Sequence, residues 1–152
     1  MTASPARQPE DLMHLLTRAE RLLSRRLTAI LDAEGHTLDA WRVITLLSDG
    51  AGHFMTDLAE QAFLPPGSLT RLVDQLVDDN LLYRRVDDTD RRRIRAYLTA
   101  RGHRFHQRVS ADIHASLTGL SVAGGAQAQL EDLLAGLIDA LAGTPRAVVR
   151  SA

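Results

Sequence analysis

The sequence contains no cysteine, which excludes disulfides, thiolate metal sites and switching by thiol oxidation. Lysine is missing too. All 18 basic residues are arginine, which reads as a GC-rich coding bias rather than a functional choice. No apolar run approaches the length that spans a bilayer, and no basic segment leads into an apolar one as in a secretory signal. A cytoplasmic protein with no membrane contact is therefore expected. There is no glycine-rich phosphate loop, no nucleophile elbow and no His-Glu-x-x-His pair, and the serines and acids are scattered. Neither enzyme chemistry nor a cofactor is expected. Net charge is only -1, so overall electrostatics do not announce a polyanion-binding protein.

What is present is enough apolar content, 45% of 152 residues, to bury a core of one domain or of one domain plus an oligomerisation module. The arginines are unevenly spread. Nine of them (Arg84, Arg85, Arg91, Arg92, Arg93, Arg95, Arg101, Arg104 and Arg108) fall between Leu81 and Arg108, against three acids, Asp87, Asp88 and Asp90.

Met55 to Leu98 is the informative stretch. Thr56 is placed to N-cap a short helix that stops by Leu64, with Asp57 and Glu60 at its positive end. Pro65-Pro66-Gly67 breaks that helix, and Pro66 suits the first turn of a second one, to about Asp79. On the second helix Leu69, Leu72, Val73 and Leu76 form an apolar stripe at i, i+3, i+4 and i+7. Arg71 lies nearly opposite, with Gly67 and Asp74 beside it and Ser68, Thr70 and Gln75 on its flanks. Two short helices joined by a tight turn, the second offering small polar groups and an arginine, meet the needs of a helix-turn-helix entering a major groove.

Asn80 is expected to end the helix in the left-handed conformation. Leu81 to Val86 then reads as a strand and Ile94 to Leu98 as its return, with a polar tip from Asp87 to Arg93. His53 to Met55 reads as a short strand able to pair with them. The expected fold is mainly α with a small β-hairpin wing: a winged helix-turn-helix.

Thr70-Arg71-Leu72-Val73-Asp74-Gln75-Leu76, Asp90-Arg91-Arg92, and Leu98-Thr99 with Gly102 resemble the multiple antibiotic resistance regulator (MarR) family of bacterial transcription factors. Element order and length extend the resemblance over about residues 10 to 143. Two positions depart from the family pattern: Pro65 stands where a serine-like cap is usual, and Asp88 stands where the wing proline is usual. The resemblance implies that Arg92 enters the minor groove with Asp90 holding its guanidinium, which suits a narrow groove's negative potential. Arg91 and Arg93 are expected on phosphates, as are Arg84 and Arg85. Arg71 is expected on a base or a phosphate, with Asp74 orienting it or a wing arginine.

The flanks read as helices. Glu10 to about Ala33 keeps helical apolar spacing and ends at Gly35, and Thr37 or Asp39 caps a helix carrying Trp41 to about Ser48. Arg101 to about Leu120 forms another helix, broken by Gly124-Gly125, and a last one closes at Gly143-Thr144-Pro145. The expected division is a flexible arm over 1–9, in which Arg7 reads as an ordinary arm residue, helical dimerisation segments over 10–35 and 100–152, and the DNA-binding domain over 36–99. The outer helices carry more leucines than one chain can hide, so a homodimer on a pseudo-palindromic double-stranded site is expected. Family analogy adds a small aromatic or toxic effector, with Trp41, His36 and Arg42 as its candidate contacts. Two other readings remain. One is a metal-responsive regulator using His103 and His106, which stand at a ligand-compatible i, i+3 spacing although no third ligand is indicated. The other is a protein-protein adaptor that has lost DNA affinity.

Overall fold

The computed structural model describes residues 9–120 and 125–143. The expected arm over 1–8 with Arg7, Gly124 of the glycine pair and the closing Thr144-Pro145 lie outside the described residues. Helix α1 (Pro9–Ala33) is followed by α2 (Leu38–Leu46), a 3-10 turn (Leu47–Asp49), strand β1 (His53–Phe54), α3 (Met55–Gln61), α4 (Pro66–Asp78), strands β2 (Leu82–Val86) and β3 (Ile94–Leu98), α5 (Ala100–Thr118) and α6 (Gln127–Leu141). The fold is the expected one, mainly helical with a β-hairpin wing. Pro9 begins α1, one residue inside the expected arm. The chain divides into two compact units, one ending at His114 and the other beginning at Ala115.

Three helices end in the same way, and their last residues show why. A left-handed residue after the helix turns the chain so that the freed carbonyls find N–H partners. Gly35 (φ 76°) does this for α1, with His36 N–H donating to Leu31 O at 3.1 Å, and Asn80 (φ 63°) does it for α4, with Leu81 N–H donating to Leu76 O at 2.9 Å. At the end of α3 the left-handed residue is Phe63 (φ 55°), with Leu64 N–H donating to Ala59 O at 2.9 Å. A phenylalanine is costly there, and Phe63 is 93% exposed, so packing does not compensate it. This turn stops α3 at Gln61, within the limit expected at Leu64.

The expected Thr56 cap is also corrected. Strand β1 runs directly into α3, so Phe54 takes the cap position without a side-chain hydrogen bond and Thr56 falls inside the first turn. At α2 the cap is Thr37, whose Oγ1 accepts from Ala40 N–H at 3.1 Å, and Leu47–Asp49 tightens into the 3-10 turn before Gly50.

The three strands form one antiparallel sheet in the order β1-β3-β2, with Phe54 opposite Arg95 and Arg84 opposite Ala96. Among the described residues the buried core runs from Leu31 to Val109 and gathers Trp41, Ile44, Leu58, Leu82 and Phe105 with the stripe of α4. Leu69, Val73 and Leu76 are buried and Leu72 is half-buried. Each buried stripe residue contributes about 1.5–3 kcal/mol relative to exposure, enough to set which face of α4 remains outside. Helix α6 buries no side chain, and Leu133, Ile138 and Leu141 stand open to solvent. On α1, Leu12, Met13, Leu15, Leu22 and Leu23 are likewise exposed.

The base of the wing is tied to both neighbouring helices through Thr99. Its N–H donates to Leu81 O at 2.9 Å, its hydroxyl to Asn80 O at 2.7 Å, and its Oγ1 accepts from Gly102 N–H at 2.9 Å. Gly102 is buried with the Leu81 carbonyl against it, and a β-carbon there would overlap that oxygen.

Candidate nucleic-acid interface

The outward face of α4 exposes Ser68, Thr70, Arg71, Asp74 and Gln75. Thr70 Oγ1 donates back to Pro66 O at 2.9 Å, which fixes its rotamer and leaves lone pairs to accept a bond. Asp74 does not pair with Arg71. It receives Arg84 Nη1 from β2 at 2.6 Å, so Arg71 has no acid partner among the described residues. Pro65 at the cap position makes no side-chain bond and Pro66 has no N–H, so the first-turn amides of Gly67 and Ser68 are left uncapped.

Arg84 and Arg85 are consecutive in a strand and therefore project to opposite faces. Arg84 faces α4. Arg85 lies on the other face with Tyr83, which stacks on Tyr97 at 5.2 Å between ring centroids.

The wing holds its shape without a proline. Asp87 accepts from Thr89 Oγ1 at 2.6 Å, Asp90 N–H at 3.0 Å and Arg95 Nε at 2.9 Å. The Thr89 hydroxyl and the Arg95 guanidinium hold its carboxyl far below the ordinary carboxylate pKa. Arg95 also donates from Nη1 to Gly52 O at 3.2 Å. Both Arg93 and Arg95 stack on the Phe54 ring, their guanidinium carbons 3.3 and 3.8 Å from its centroid. At the tip Asp90 Oδ1 accepts from Arg92 N–H at 3.1 Å and sits 3.6 Å from Arg92 Nε, while the Arg92 side chain remains 95% exposed. Arg91 is exposed beside it.

Between α4 and the wing lies a cleft of about 300 Å³, lined by Phe54, Met55, Thr56, Thr70, Arg84, Arg92, Arg93 and Ile94. It combines hydroxyls and guanidiniums above an apolar floor, a set suited to a sugar-phosphate backbone. Sequence reasoning passed over Phe54, Thr56, Asp87 and Arg95. Asp87 and Arg95 were visible as an acid and a base flanking the tip, but pairing them required the register of β3 against β1 and β2.

The residues singled out for a small molecule do not converge on one cavity. Trp41 is buried, stacked on His106 (5.1 Å, 14° between planes) and edge-on to Phe105. His36 meets Phe105 at 4.9 Å and lines a groove that Trp41 does not reach. Arg42 turns away, to Asp39 at 2.9 Å and Glu20 at 3.6 Å. Among the described residues no three His, Asp or Glu side chains stand close enough to hold a metal. His106 packs on Trp41 instead, and burial, helped by nearby His103, lowers its pKa from the ordinary imidazole value. No helix among the described residues is long and apolar enough to cross a membrane.

Comparison with known proteins agrees with this geometry. Residues 34–93 match the model of the MarR family. The HTH-type transcriptional regulator FarR of Neisseria gonorrhoeae is 28% identical over 124 residues, covering 80% of this chain and 85% of FarR. The crystal structure of NadR in complex with 4-hydroxyphenylacetate superposes with a TM-score of 0.74 at 27% identity, covering 90% of this chain and 96% of NadR. A MarR-family regulator from Silicibacter pomeroyi gives 0.74 at 26% identity, covering 91% and 92%. With the helix-turn-helix, the arginine-tipped wing and these relatives in agreement, the chain has the winged helix-turn-helix fold and is similar to the MarR family of transcriptional regulators.

Proposed function

We propose that the protein is a cytoplasmic, ligand-responsive repressor that binds a pseudo-palindromic operator as a homodimer. The observation that carries this reading is the cleft between α4 and the wing, where Thr70, Arg84, Arg92 and Arg93 meet. The recognition helix enters the major groove, with Arg71 on a base or phosphate and Ser68, Thr70 and Gln75 beside it. The uncapped amides of Gly67 and Ser68 meet a phosphate oxygen, which turns the departure at Pro65 into a contact. Arg92, steadied by Asp90, enters the minor groove, and Arg91 and Arg93 meet phosphates. Residues 36–99 form the DNA-binding domain.

Residues 10–35 and 100–152 supply dimerisation. The exposed leucines of α1 and of α6 support this, because apolar stripes of that length are covered in stable proteins. The two recognition helices then meet successive major grooves about 34 Å apart. The effector is an aromatic acid or a toxic compound. The 4-hydroxyphenylacetate bound by NadR supports that class.

The test is an electrophoretic shift with the DNA upstream of the protein's own gene, combined with sedimentation. A specific complex of one dimer per site is expected. A folded monomer at micromolar concentration, or binding no tighter than to unrelated DNA, refutes the reading.

A further inference from the structure

The arginine cluster of the sequence serves two separate surfaces. Arg101, Arg104 and Arg108 lie at i, i+3 and i+7 on one face of α5 and line a groove of about 570 Å³ with His36, Phe105 and Asp79. That groove shares no residue with the cleft beside the wing. Its walls come from the corner after α1, from the end of α4 and from α5.

The charges in it are unevenly matched. Arg108 Nη2 donates to Glu34 Oε2 at 2.7 Å, and its guanidinium lies over the Phe105 ring, 5.4 Å from the centroid. Arg101 and Arg104 have no partner among the described residues. Like charges one helical turn apart repel, and among the described residues the acids lining the groove are Glu34, already engaged, and Asp79, with Asp112 acting on Arg108 from the next turn of α5. Phe105 and Leu81 are its only large apolar lining residues, so a greasy ligand finds little there. A ligand with two or more negative charges relieves the repulsion and offers paired oxygens to guanidinium forks.

We propose that this groove binds a small organic di- or trianion, a polycarboxylate or a phosphorylated compound. Arg101 and Arg104 are its first contacts, and Arg108 joins them by exchanging Glu34 for the ligand. The proposal is independent of the operator reading, because binding is measured without DNA.

The experiment is calorimetric titration of the full-length protein in low-chloride buffer, with citrate and pyrophosphate as probes. Saturable binding of at least one probe, one per chain, is expected, and the preferred probe separates carboxylate from phosphate chemistry. Replacing both Arg101 and Arg104 with alanine weakens binding by about tenfold or more. Both side chains are exposed, so the variant keeps the wild-type circular dichroism and Tm. Glu34→Gln releases Arg108 and strengthens binding, and Arg92→Ala leaves it unchanged. The proposal is overturned if neither probe saturates, if the double variant binds as wild type does, or if Arg92→Ala abolishes binding, since the anion would then sit at the wing.

Discussion

Replacing Asp74 with asparagine changes how DNA affinity responds to salt, and the structure sets the size of the change. Asp74 holds Arg84 at 2.6 Å inside the cleft, so on the proposed reading this arginine meets a phosphate with its charge already countered and displaces little condensed cation. With asparagine in place, Arg84 becomes a full phosphate contact, one per subunit and two per dimer. At roughly 0.9 units of log-log slope per contact, the salt dependence steepens by about 2. Between about 50 and 200 mM salt, the ratio of mutant to wild-type affinity therefore falls by about tenfold. The fold is little affected, because the Asp74 side chain is 51% exposed and such pairs contribute about 0.5 kcal/mol. The assay is fluorescence anisotropy on operator and on unrelated DNA across a salt series, for wild type, Asp74→Asn, Arg84→Ala and the double variant. Steepening must vanish in the double variant, and Arg84→Ala alone must leave the slope nearly as in wild type. Identical slopes for wild type and Asp74→Asn, or steepening that survives the loss of Arg84, would refute the reasoning.

On the proposed reading Arg92→Ala removes a minor-groove contact from each wing and weakens operator binding by about 1–3 kcal/mol, and it leaves Tm unchanged because the side chain is 95% exposed. Unaltered affinity at equal salt removes the wing tip from the mechanism. Asp87→Asn lowers Tm near neutral pH. Because the folded state depresses the Asp87 pKa below its ordinary value near 3.8, its contribution is present above that value and lost as pH falls through the folded pKa. The gap between wild-type and mutant Tm should thus close only in strong acid, and a gap that closes near neutrality counts against the brace. Phe63→Gly raises stability by about 1 kcal/mol by relieving a left-handed phenylalanine, as urea denaturation will show, and a loss of stability means that the exposed ring has a partner.

The parts legible in the sequence were those decided within a few residues. The stripe on α4, the left-handed Asn80 and the two wing strands follow from periodicity and turn chemistry, and their limits agree with the structure to within a residue or so. The family resemblance rested on the same stretch. What was not legible depends on long-range register. Arg91, Arg92, Arg93 and Arg95 look alike in the chain, yet Arg95 is committed to Asp87, Gly52 and Phe54 while Arg92 stays in solvent. Arg84 was expected to meet phosphate on equal terms with Arg91; Asp74 was expected to orient Arg71 or a wing arginine, and only the packing of β2 on α4 decides that it holds Arg84. Trp41 as a ligand contact was a family analogy, and its stacking on His106 joins helices that no local pattern connects.

Thr99 and Gly102 give the molecule a rigid elbow. The end of α4, the root of β2 and the first turn of α5 share hydrogen bonds across a spot where even a methyl group has no room, so none of the three can pivot without the others. Helix α5 has 19 residues and is about 28 Å long. A tilt of about 5° imposed at its far end therefore displaces the reading head by about 2.5 Å, roughly half of one helical turn's rise. Because that joint does not flex, a tilt of α5 is handed on whole to the turn that carries α4 and to the root of the wing, with the Gly102 contact as the rigid corner.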